Sequence, residues 1–144
     1  MGNSVNKEVR VLTKTELLRL LTEADYSETK FINQIIEPYE FFQSYATEQS
    51  GLVINSKVIY WGALVRLRQN YELWTVVNKD VQEQLSLYKE AKKTIYHWLD
   101  RYNPIYATMH QGNETNKRWV EKMGFVKNSE DNKYITYVLK KEGV

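Results

Sequence analysis

The side chains able to do acid–base work in this chain are few. There is no cysteine, so neither a thiol nucleophile nor a disulfide framework is available. No metal-ligand cluster, phosphate-cradling glycine loop or Ser-His-Asp set can be assembled from the residues present. Two histidines are left. His110 stands between an extended segment and Gly112, where an imidazole could act as a base near neutral pH, or could simply sit in a surface turn. His97 lies in a helical pattern beside Trp98 and reads as structural. Asn113 could orient a substrate or a catalytic water, and it is also a helix-capping residue, which accounts for it without chemistry. Glu72 is a charge at the start of an extended run. Lys117, Arg118 and Lys122 lie on the polar side of a short helix, where they could meet a phosphate or be a solvated face.

These residues are positioned by a readable series of elements. Lys7 to Leu12 suits a short strand. Thr13 and Glu16 form a capping box, followed by the apolar face Leu17, Leu18, Leu20, Leu21 and Ala24. A second helix is expected after Ser27, with Phe31, Ile32, Ile35 and Ile36 on one side and Pro38 ending or bending it. Glu40 to Gln49 fits helix or loop. Leu52 to Asn55, Lys57 to Arg68 and Tyr71 to Val77 read as a three-stranded meander, with a tight turn at Asn55-Ser56. Asp80 and Glu83 open the longest helix, whose expected stripe is Leu85, Tyr88, Ala91, Ile95, Trp98 and Tyr102. Asn103-Pro104 stops it. Ile105 to Met109 is a strand, and the strand–helix–strand order makes it a parallel neighbour of Tyr71–Val77. Trp119, Val120 and Met123 then share one face of a short helix, which Gly124 ends, and Trp119 is expected to be buried against the sheet. The strand from Phe125 pairs with Tyr134 to Lys140 as a hairpin. The sum is an α+β fold with a mixed sheet, N-terminal helices, a long crossover helix and a short C-terminal helix.

Bulk properties set the outer limits. A chain of 144 residues suits a single domain, taken here as 1–144. Hydrophobic residues at 42% and charged residues at 26% describe a globular chain. A net charge of +2 gives no nucleic-acid signal. No secretory signal is visible in Met1 to Arg10, and no apolar run is long enough to span a bilayer.

Gly112 to Phe125 reads GNETNKRWVEKMGF: a turn, an asparagine cap, a short helix with an aromatic side, then Gly-Phe. This resembles the C-terminal motif of the GNAT acyltransferase superfamily, and the likeness runs back to Lys57 in element order. The branch it looks most like is the GNAT-like internal virion protein A family of short-tailed phages. The resemblance implies acyl-coenzyme A held between Tyr71–Val77 and Ile105–Met109, which should splay at their C-terminal ends. Amides of Val76 and Val77, with Asn113 and Lys117, would contact it. The catalytic candidates become Glu72, placed where some GNAT enzymes keep a base, with His110 and Asn113. The pyrophosphate would sit at the start of the long helix, where free amides and the helix dipole favour an anion.

The chain departs from that pattern twice. The family's phosphate loop carries glycines, but no glycine occurs from Ala63 to Gln111, and Leu85 and Leu87 fall where they belong. Losing two hydrogen bonds to charged oxygens would weaken binding by roughly two to four orders of magnitude. The tyrosine that many members use to protonate the leaving thiolate is Val120 here. The expectation is therefore a non-catalytic phage virion or host-interaction protein, partnered by a virion or host protein, in the host cytoplasm or the virion. The alternative is an acetyl-coenzyme A-dependent N-acetyltransferase acting on an amine.

Overall fold

The computed structural model describes residues 6–24, 37–80 and 84–141. Seven strands form one mixed sheet in the order β1-β2-β3-β4-β5-β7-β6. They are β1 (Lys7–Arg10), β2 (Ala46–Ile54), β3 (Lys57–Leu67), β4 (Asn70–Val77), β5 (Ile105–His110), β6 (Val126–Glu130) and β7 (Tyr134–Leu139). The helices are α1 (Lys14–Glu23), α2 (Pro38–Tyr45), α3 (Gln84–Leu99) and α4 (Glu114–Met123). The sheet, the crossover helix and the terminal hairpin agree with the α+β reading of the sequence.

Local chemistry explains the element boundaries. The Thr13 hydroxyl accepts from the Glu16 amide, and the Glu16 carboxylate accepts from the Thr13 amide at 2.9 Å. Arg10 grips the same carboxylate, holding its pKa down at about 2. Asn55 and Ser56 both adopt positive φ, as a two-residue hairpin turn with right-handed strand twist requires. Asn113 accepts from the Asn116 amide at 3.1 Å to start α4, and Gly124 at φ 111° ends it.

Pro38 itself takes the first position of α2: its missing N–H is not needed in a first turn, and its fixed φ suits that position. Three expectations change. The ambiguous stretch from Glu40 to Gln49 divides at Ala46 into helix and strand, so β2 is longer than the sequence suggests. Leu85 is not in the buried stripe of α3; it is 80% exposed. The stripe is Leu87, Ala91, Ile95, Trp98 and Leu99, and Leu85 lies two residues from Leu87, about 200° around the helix. Trp119 is half-buried rather than buried, packed at the edge of the core. The helix expected after Ser27 lies outside the described residues, as does Glu83.

Both faces of the central strands are covered, which is why β3 reads as an almost unbroken apolar run. Against one face, α1 and α2 pack Leu17, Leu20 and Phe42 onto Trp61, Ala63, Val65 and Val76. Against the other, α3 and α4 pack Ile95, Trp98, Val120 and Met123 onto Leu64, Leu73, Ile105 and Tyr137.

Candidate functional site: a cleft where two parallel strands part

β4 and β5 run parallel but pair only at Tyr71–Ile105 and Glu72–Tyr106. Each then continues beside its other neighbour. β4 stays registered on β3 as far as Val77 opposite Tyr60, and β5 on β7 as far as His110 opposite Tyr134. Beyond Glu72 the sheet is therefore parted, and the facing edges have no ladder partner in each other. In an antiparallel pair alternate residues turn their N–H and C=O away from the partner strand. One of Val76 and Val77 thus directs its amide toward the gap, where the sequence reading placed both. Their side chains are core residues, Val76 on the α1/α2 side and Val77 on the α3/α4 side.

The gap opens into a cavity of about 280 Å³. Strand parity assigns its lining to two sides. Glu72, Trp74, Thr108, His110 and Tyr134 face the α1/α2 side. Leu73, Thr75, Ala107 and Met109 face α4, which adds Asn113, Asn116, Trp119 and Val120. The cavity thus joins one sheet face to the other through the seam.

The three catalytic candidates Glu72, His110 and Asn113 come together at this cavity. Burial pushes the Glu72 carboxyl above its ordinary pKa, opposed by a hydrogen bond from the Thr108 hydroxyl. That hydroxyl also lies 3.0 Å from the hydroxyl of Thr136. A carboxylate raised toward neutrality is a better proton acceptor, while Thr108 keeps it ionisable. His110 is the last residue of β5 rather than a surface turn residue, and its ring lies 4.8 Å from that of Tyr134. Asn113 combines its capping role with a place in the lining. Lys117 is apart from this group: its ammonium is held by the Gln111 carbonyl and Glu114, both at 3.1 Å, and it does not line the cavity.

Leu85 and Leu87, which fall at the start of the long helix where the resemblance would put the pyrophosphate, stand outside the gap. Leu87 is a core residue and Leu85 projects into solvent, and neither lines the cavity. Trp74 does not fill the opening; it forms a wall, with its ring 5.5 Å from Phe42. Val120 does face the site and carries no transferable proton. Sequence reasoning missed Thr108, Tyr134 and Asn116. The alternation of Thr108 and His110 with Ala107 and Met109 along β5 was the signal for the first.

No family model matches the sequence, and no curated protein matches it. Solved structures do. The chain resembles a GNAT-family acetyltransferase from Bacillus anthracis with a TM-score of 0.70 at 14% identity, over 93% of this chain and 94% of that one. The fold is the GNAT fold. The PaiA N-acetyltransferase from Thermoplasma acidophilum, in complex with coenzyme A, superposes with a TM-score of 0.66 at 18% identity, over 94% and 99% of the two chains. A Bacillus subtilis acetyltransferase in complex with CoA gives 0.66 at 14%, over 95% and 99%. None of the three is a virion protein, and the likeness to the phage branch finds no counterpart in them. Among the described residues no helix is long and apolar enough to cross a membrane.

Proposed function

We propose that this protein is an acyl-coenzyme A-dependent N-acyltransferase acting on an amine. One observation carries the proposal: the parting of β4 and β5 makes a passage between the sheet faces, with a half-buried carboxylate, Glu72, at one side of it. The neighbours in complex with coenzyme A support the same reading. It puts the N-acyltransferase reading ahead of the non-catalytic scaffold, which rested on Val120 and on Leu85 and Leu87 at the start of the long helix.

The residues present suit a thioester. The α4 side offers an apolar channel of Leu73, Ala107, Met109 and Val120, with polar groups at Thr75, Asn113 and Asn116. The unpaired edge of β4 supplies an amide for a carbonyl oxygen. When bound, the thioester contributes an activated acyl carbon. An acceptor amine arrives on the opposite side as an ammonium. Glu72 takes one proton, freeing the nitrogen lone pair. A C–N bond forms as the C–S bond breaks; the electron pair leaves on sulfur, and the second nitrogen proton passes to the thiolate or to water. Among the described residues the lining on the α4 side holds no titratable side chain, so the gain comes from positioning, the strand amide and Glu72.

Isothermal titration calorimetry with acetyl-coenzyme A tests the proposal. A micromolar dissociation constant is expected for the wild type, raised about tenfold or more when Ala107→Trp fills the seam. No saturable binding at millimolar ligand would return the scaffold reading to first place.

A further inference from the structure

Resting on the N-acyltransferase reading, we propose that the α1/α2 side of the cleft selects a small primary amine carried on an aromatic body. Its ammonium would sit at Glu72 and its ring between Trp74 and the paired rings of His110 and Tyr134.

The argument begins with charge. Among the described lining residues there is one carboxylate and no lysine or arginine. Lys117, the nearest cation in sequence to the lining residue Asn116, is already held by Glu114 and the Gln111 carbonyl. A half-buried carboxylate is most stable facing a cation that can also hydrogen-bond it. An acidic acceptor meets only repulsion here, with no basic group to offset it. A polyamine brings further ammonium groups and finds no second carboxylate in the lining. A single positive charge fits.

Shape comes next. Glu72 and Trp74 are two residues apart on β4, so they stand on the same side about 7 Å from one another. Across the seam, His110 and Tyr134 are register partners on β5 and β7, with their rings 4.8 Å apart and 35° from parallel. Thr108 lies on β5 between these walls, exposed, its hydroxyl 3.0 Å from that of Thr136. The result is a slot with indole on one wall, imidazole backed by a tilted phenol on the other, and the carboxylate at its inner end. Aromatic rings prefer offset or edge contacts at centroid separations of roughly 4.5–7 Å, and such pairs add beyond simple burial. The same rings also attract the ammonium by cation–π contact. Trp74 is braced by Phe42 from behind, which fixes the wall before any ligand arrives.

The test uses the full chain with acetyl-coenzyme A and four acceptors: phenylethylamine, propylamine, spermidine and glutamate. Thiol release gives kcat/KM, and quenching of tryptophan fluorescence gives acceptor binding without turnover. Phenylethylamine should exceed propylamine by about tenfold or more, a factor equivalent to 1.4 kcal/mol. Trp74→Leu and Tyr134→Leu should each shrink that ratio severalfold, with acetyl-coenzyme A affinity measured alongside to show that the variants are folded. Failure of the wild type to bind acetyl-coenzyme A would sink the underlying function and this inference together. Intact binding with spermidine, glutamate or propylamine preferred would overturn the inference alone. So would the absence of phenylethylamine binding by fluorescence.

Discussion

Gly62 lies opposite Thr75, a residue of the cleft wall, and the hydroxyl of Tyr60 occupies the space a side chain would need there. A β-carbon built on Gly62 would collide with Tyr60 Oη and lie 2.9 Å from Tyr60 Cζ. Gly62→Ala must therefore displace the Tyr60 ring, which packs 6.0 Å from Trp119. Overpacking of this kind costs about 1–3 kcal/mol, partly offset by about 0.5–1 kcal/mol from stiffening the unfolded chain. A net loss of about 1.5 kcal/mol is expected, against an unfolding entropy of roughly 0.3 kcal/mol/K for a chain of this length. The midpoint should fall by about 5 °C. Tyr60→Phe removes the colliding oxygen but leaves the ring carbon, so it should rescue Gly62→Ala in part. The double-mutant cycle should give a coupling of about 1 kcal/mol, well above the error of calorimetric or urea unfolding. Additive single mutations, or an unchanged midpoint for Gly62→Ala, would refute the idea that the hydroxyl is wedged over the glycine.

Glu72→Gln should lower kcat by about 10²–10⁴-fold, the usual worth of a positioned base, with the loss read by thiol release. The same variant should be at least as stable as the wild type at pH 7. A carboxyl whose folded pKa is raised contributes most below its unfolded value and loses that contribution as pH rises through the folded one. Thr108→Val removes the hydrogen bond that holds this pKa down, so the acidic limb of the activity profile should move to higher pH. Asn113→Ala should cost about 1 kcal/mol of stability through the lost cap of α4, measured by urea unfolding. For Glu16, held low at about 2, the sign reverses: its stabilisation is present above its unfolded value near 4.5 and disappears as acid takes the pH down toward 2.

Much of this was legible because local rules and tertiary structure agree. Thr13 with Glu16, Asn55-Ser56, and Asn113 with Gly124 each specify their own backbone geometry, so their elements were readable one at a time. The parallel pairing of β4 and β5 followed from strand–helix–strand order. Leu85 was misplaced because Leu85 and Leu87 both fit an apolar pattern with Tyr88 and Ala91, and only packing against the sheet selects Leu87. Pro38 opens α2, a role the sequence reading did not give it, because proline is equally at home just after one helix and at the first position of another. Glu72, His110 and Asn113 were candidates in the sequence, but only the sheet brings them together. The cleft's second wall depends on β7 inserting between β5 and β6, which places Tyr134 beside His110, 24 residues apart in sequence. No periodicity encodes that neighbour.

The seam also gives the molecule a natural line of division. Two residue pairs are all that link the four-stranded part of the sheet to the three-stranded part. The layer under α1 and α2 belongs wholly to residues before Asn78, whereas the layer under α3 and α4 draws on both parts. Cutting the chain near Asn103 would separate a piece holding β1 to β4 and α3 from one holding β5, α4, β6 and β7. These pieces would meet mainly through side-chain contacts such as Leu73, Ile95 and Trp98 with Ile105 and Tyr137, not through strand hydrogen bonds. A molecule lodged in the gap touches both pieces and favours their union in proportion to its concentration over its dissociation constant. The gap that admits a ligand thereby makes that ligand a clasp, and a split version of this chain would report occupancy by reassembling.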